Sequence, residues 1–111
     1  MRVKGTILFA QIKFSDTDTT AEKYFVVLAD FDNEPDIILN RITKKDPMDA
    51  YSIEINPQVD TIGPHRLKMK SYIRVDKIYT IPKTSIKYDV CLLTPAKITA
   101  LDNILRALFE I

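Results

Sequence analysis

A single stretch of this sequence carries a helical period, and it lies at the end. Thr94-Pro95 offers a capping hydroxyl followed by proline at the first helical position, and Ile98, Leu101, Ile104, Leu105, Leu108 and Phe109 then recur at spacings of three and four. That spacing predicts one amphipathic C-terminal helix. With no helices alternating between strands there is nothing to carry a parallel crossover, so the strands upstream are expected to pair antiparallel through short connections.

Those strands are read from alternation and turn chemistry. Residues 6–14 are β-rich and run into Ser15-Asp16-Thr17-Asp18-Thr19-Thr20, a polar stretch without periodicity that predicts a mobile loop. Residues 23–31 form a continuously apolar strand, and Asp32-Asn33-Glu34-Pro35 is a turn into a third strand over 36–43, giving a hairpin. Residues 51–55 alternate cleanly and stop at Asn56-Pro57. After a loop through Gly63-Pro64, the segment 65–70 alternates basic and apolar residues and leads into a strand from 71 to about 81, and 85–92 makes one more. The expected fold is mainly β with a C-terminal helix, an antiparallel barrel with the helix packed on it.

Composition narrows the class. At 111 residues one domain without an internal boundary is expected, and 46% hydrophobic with 28% charged residues is the balance of a soluble globular protein. No apolar run is long enough to cross a bilayer, and the N-terminus lacks a signal-type apolar core, so a cytoplasmic protein without a membrane partner is expected. Cys91, in the run Val90-Cys91-Leu92-Leu93, has no second cysteine with which to form a disulfide or share a metal, and reads as core. The net charge of +1 conceals a gradient, because residues 1–60 sum to −4 and residues 61–111 to +5. A basic surface for phosphates is compatible with that split.

The charged signal sits in Ser71-Tyr72-Ile73-Arg74-Val75-Asp76-Lys77-Ile78. Strand geometry sends Ile73 and Val75 to a core face and Arg74 and Asp76 together to the other. Two readings stay open: a surface ion pair, or a guanidinium and a carboxylate held ready for chemistry. Signatures of other chemistries are missing, since there is no P-loop, dinucleotide glycine motif, zinc-type His/Cys cluster or nucleophile elbow.

In this order the segments resemble the MazF/PemK-like toxins, the endoribonucleases of toxin–antitoxin systems. Gly5-Thr6-Ile7-Leu8-Phe9-Ala10 is similar to the family's opening glycine and strand, and Ile37-Ile38-Leu39-Asn40-Arg41-Ile42-Thr43 to its third strand ending at a threonine. The segment from Ser71 to Thr80 followed by Pro82-Lys83 is similar to its most recognisable stretch, and Leu92-Leu93-Thr94-Pro95 to its tail. The chain departs from the pattern where the family carries Arg-Pro at the start of the second strand, here Lys23-Tyr24, and Thr-Ser at the end of the third, here Thr43-Lys44.

The resemblance implies an SH3-like barrel, a homodimer, a cognate antitoxin that wraps the toxin with an acidic segment, and metal-independent cleavage of single-stranded RNA without a cofactor. Such cleavage uses the neighbouring 2′-hydroxyl as nucleophile, so the protein must accept its proton, neutralise the pentacoordinate phosphorus and assist the leaving 5′-oxygen. Arg74 would clamp phosphate oxygens, and Asp76 would act as base or orient Arg74. Thr43 offers a hydroxyl or simply ends a strand, and Lys23 stands where the family arginine would be, as a point charge without a bidentate fork. Lys44, Lys45, Arg66, Lys68 and Lys70 line an RNA path or form a solvated face, and His65, the one histidine, belongs to that path or to an inert loop. Tyr72 and Tyr79 stack bases or fill the barrel rim. Two rivals remain: a non-catalytic RNA- or protein-binding module of the same fold, and a gyrase-poisoning toxin that uses its helix.

Overall fold

The computed structural model describes residues 1–13 and 19–110. Strands β1 (Thr6–Lys13), β2 (Thr20–Asp30), β3 (Asp36–Thr43) and β4 (Ser52–Ile55) are followed by the one-turn helix α1 (Pro57–Asp60) and the two-residue β5 (Thr61–Ile62). Then come β6 (Ser71–Pro82), a 3-10 turn (Lys83–Ser85), β7 (Ile86–Leu93) and helix α2 (Pro95–Phe109). Of the loop expected after β1, Ser15 to Asp18 lie outside the described residues, while Thr20 already belongs to β2.

All pairings are antiparallel, in the order β4-β6-β3-β2-β1-β7-β5. The β2–β3 hairpin forms as expected, with Val26 opposite Asn40. Curvature follows from connectivity. The edge strands β4 and β5 are joined through α1 alone, whereas a flat sheet would hold its outer strands about 29 Å apart at 4.8 Å per step. One helical turn rises only about 6 Å. The sheet therefore curls into a half-barrel with its two edges brought together.

Neighbouring residues on the central strands point to opposite faces, and each face buries a cluster. Ile7, Val26, Ile42, Ile53, Ile55, Ile73, Val75 and Leu93 pack with Leu101 of α2, supported by Ile98, Ile104 and Leu105. Leu8, Ala10, Phe25, Val27, Ile37, Leu39 and Ile81 form the second cluster. Helix α2 begins at its expected cap, where the Thr94 hydroxyl accepts from the Lys97 amide at 3.4 Å. The predicted apolar stripe does not stay buried to its end, because Phe109 is 57% exposed. Gly5 lies under this helix at φ +93°, its amide donating to the Val27 carbonyl at 3.0 Å. Cys91 belongs to the first cluster, and burial pushes its thiol up, so it stays protonated in the core.

The one-turn helix α1, the short strand β5 and the 3-10 turn were not expected. Asn56 caps α1, its side chain accepting from the Gln58 amide at 3.1 Å, and this turn replaces the plain loop read after Asn56-Pro57. The Asp60 carbonyl then accepts from the Thr94 amide at 2.9 Å, tying α1 to the start of α2.

Candidate functional site

The hairpin of β2 and β3 does not pair along its whole length. Pairing ends at Phe25 and Arg41; beyond it, Thr20 to Tyr24 bond only to β1, and Ile42 and Thr43 only to β6. The two strands splay, and the gap is a cleft of about 490 Å³ lined by Phe9, Glu22, Lys23, Tyr24, Arg41, Ile42, Thr43, Lys44, Lys45 and Ser71. Lys23, Thr43, Lys44 and Lys45, scattered over 23 positions of sequence, are thus brought together.

Register explains the polar end of this face. Directly opposed residues in an antiparallel ladder share a face. Lys23 lies opposite Ala10, Arg41 opposite Phe25 and Arg74, and Thr43 opposite Tyr72. The second apolar cluster therefore gives way, along one continuous face, to two arginines, a lysine and a hydroxyl. The Thr43 hydroxyl oxygen accepts from the Lys45 amide at 3.4 Å, which leaves its proton free to donate outward.

Arg41 and Glu22 are cleft residues that sequence reasoning passed over. Arg41 sits two residues before Thr43, so strand alternation alone places it on the same face. Glu22 is the carboxylate of the cleft lining, exposed at its rim.

Arg74 and Asp76 do not form the pair that alternation suggests. One step along β3, from Asn40 to Arg41, corresponds to a jump from Ile78 to Arg74 on β6, so residues 75–77 bulge out of the ladder. Arg74 makes its ion pair with Asp49 at 3.8 Å, and no ion pair with Asp76 occurs among the described residues. The Arg74 Nε and one Asp76 carboxylate oxygen are buried without a hydrogen-bond partner. Neither residue lines the cleft.

A second cleft, about 410 Å³, is lined by Tyr24, His65, Arg66, Lys68, Tyr88, Asp89 and Val90. Tyr24 belongs to both clefts, so they meet at its ring. Phe9 packs between Tyr24 and Tyr88, with ring centroids 4.8 and 5.2 Å away. Burial, and then the neighbouring Tyr88 phenol, push the Tyr24 hydroxyl up. His65 and Lys68 are exposed at this wall. Arg66 is partly committed elsewhere, donating to the Pro57 and Gln58 carbonyls at 3.1 and 2.9 Å and so closing the end of α1. Lys70 pairs with Glu54 at 3.1 Å, a hydrogen bond that raises its pKa, and lies outside both clefts. Tyr79 packs edge-on against Phe25 at 5.7 Å, a rim residue of the second cluster.

No model of a known protein family matches this sequence, and no curated protein matches it. Solved structures do. A mycobacterial endoribonuclease in complex with its cognate antitoxin superposes with a TM-score of 0.79 at 14% identity, covering 100% of this chain and 97% of that one. The Mycobacterium tuberculosis toxin MazF-mt6 gives 0.73 at 16% identity, over 96% and 97% of the two chains. Another mycobacterial endoribonuclease gives 0.76 at 14% identity, over 99% and 92%. The fold is that of the MazF toxins along the length of the chain.

Proposed function

We propose that this protein is a toxin endoribonuclease of the MazF kind, which binds single-stranded RNA in the two clefts that meet at Tyr24 and cuts it between splayed β2 and β3. The observation that carries this reading is the convergence of Lys23, Arg41, Thr43, Lys44 and Lys45 on one opening, on a fold shared end to end with such toxins. A groove of this kind suits a single strand, because phosphates meet cations while unpaired bases meet exposed aromatic faces. Lys44 and Lys45 hold the strand by its phosphates on one side, and His65, Arg66 and Lys68 do so on the other.

Cleavage proceeds without a metal. The 2′-oxygen attacks the adjacent phosphorus as its proton passes to a carboxylate, and the bond to the 5′-oxygen breaks as that oxygen takes a proton from water, leaving a 2′,3′-cyclic phosphate and a 5′-hydroxyl. Lys23 and Arg74 offset the charge that builds on the phosphorus oxygens, and the Thr43 hydroxyl donates to the reacting phosphate. Glu22 at the cleft rim and Asp76 on the bulge are the two candidates for the base. The protein works in the cytoplasm as a homodimer and is held inactive by an acidic antitoxin segment that covers the basic cleft.

A second reading has one observation in its favour. Arg74 and Asp76 lie outside the cleft lining, which suits a module that binds RNA without cutting it. Purified protein is incubated with a long RNA in excess EDTA, beside Thr43→Val, Glu22→Gln, Arg74→Ala and Asp76→Asn. We expect cutting by the wild type and loss in Thr43→Val, Arg74→Ala and one of the two carboxylate variants. Intact RNA in the wild-type lane sinks the nuclease reading and leaves binding alone.

A further inference from the structure

Arg41 and Arg74 lie directly opposite each other on β3 and β6, a position in which like charges repel across roughly 5 Å between Cβ atoms. Among the described residues Arg41 has no counter-charge, and Arg74 has only a long one. Arg41 has no carboxylate within ion-pair range among the described residues, and its Nε is buried without an acceptor. Arg74 likewise has a buried Nε without an acceptor, and its Asp49 partner is 3.8 Å away. Buried N–H groups are nearly always paired, so two orphaned guanidinium donors side by side are costly to folding.

We infer that Arg41 and Arg74 together form a phosphate clamp, with Arg41 as the arm that reaches into the cleft. The geometry supports a single anion between them. Arg41 lines the cleft beside Lys23 and Thr43, and its ladder partner Arg74, on the same face, lies just outside the lining, so Arg41 bridges from Arg74 to the opening. A phosphate there supplies acceptors to both forks, cancels the repulsion and sits beside the Thr43 hydroxyl. The inference rests on the RNA-binding reading above. It adds to that reading a residue that carries the bidentate geometry Lys23 lacks.

The test separates clamp from nuclease. The probe is a short mixed-sequence RNA, fully 2′-O-methylated so that it has no attacking hydroxyl, and binding is measured by fluorescence anisotropy over a range of salt. For Arg41→Met we expect affinity to fall about 10- to 100-fold. The slope of log affinity against log salt should become shallower by about 0.7, the signature of one lost phosphate contact on a single strand. Arg106→Ala, on α2, should behave as wild type. Thermal melting supplies a readout that a merely structural arginine would move the other way: Arg41→Met should melt at or above the wild-type temperature, because the repulsion with Arg74 is gone. An unchanged affinity and slope, or a lower melting temperature with unchanged slope, overturns the clamp. So does a wild type that fails to bind the probe at all. If the wild type binds the probe but leaves unmodified RNA intact, the nuclease reading fails while the slope still decides the clamp.

Discussion

The Asn40 side-chain amide donates to the Val75 carbonyl at 2.9 Å and, across the same bulge, to the Lys77 carbonyl at 3.2 Å. Asn40 is fully buried in β3. Its donors replace the ladder bonds that β6 gives up where residues 75–77 leave the sheet, so a residue of one strand fixes the shape of the next. Asn40→Leu removes both donors and strands two carbonyls, with an expected loss of about 1–3 kcal/mol in urea denaturation. A wild-type midpoint would show that water satisfies the bulge instead.

Gly5 carries a steric argument. A Cβ there would stand 2.7 Å from the Ile98 Cδ1 atom, at a backbone φ of +93° that other residues rarely adopt. Gly5→Ala is expected to cost about 1–3 kcal/mol. Adding Ile98→Ala should relieve the clash but not the backbone strain. The double variant should therefore be more stable than the sum of the single costs predicts, measurable as a coupling energy in a double-mutant cycle.

Acid stability should track Asp30. The Lys83 ammonium, 2.7 Å away, followed by the Arg2 amide, holds this carboxyl below the usual carboxylate range, and its side chain is only 2% exposed. A lowered folded-state pKa means stabilisation that is fully present above the unfolded value of about 3.9 and is lost as pH falls through the folded value. Asp30→Asn should flatten that acid limb of the stability curve while lowering stability at pH 7. An Asn variant that keeps the same acid slope would assign the effect to other carboxylates.

Thr43→Val keeps shape and removes the hydroxyl. Stability should change by less than about 1 kcal/mol, since the one bond lost is the 3.4 Å contact from the Lys45 amide. RNA cleavage should fall about 100-fold, the scale of a lost transition-state donor. Equal losses in folding and cleavage would mark Thr43 as structural.

Much of this architecture was legible in the sequence because it is written in local period and turn chemistry. Strand β3 was read with its observed bounds, β1, β2, β4, β6 and β7 within a few residues, and Thr94-Pro95 announced α2. The same cap-then-proline pattern stands at Asn56-Pro57, but it reads only as the end of a strand, because a single turn has no apolar period to mark it as α1. The candidate site was legible in part. Lys23, Thr43, Lys44 and Lys45 were named from resemblance and charge, yet their convergence depends on where β2 and β3 stop pairing. Arg41 was within reach of alternation from Thr43. The separation of Arg74 from Asp76 was not, because the bulge is set by Asn40, 34 positions before Arg74.

The turn α1 has a consequence for cooperativity. Both edges of the sheet, the four residues of β4 and the two of β5, hang on this one contiguous stretch. Opening α1 frees the seams at both ends of the strand order in one event, and the amides of β4 and β5 should exchange with deuterium at a common rate, ahead of β1 and β2. The half-barrel has one hinge for two edges, so its least stable unit is contiguous in sequence yet belongs to both ends of the sheet.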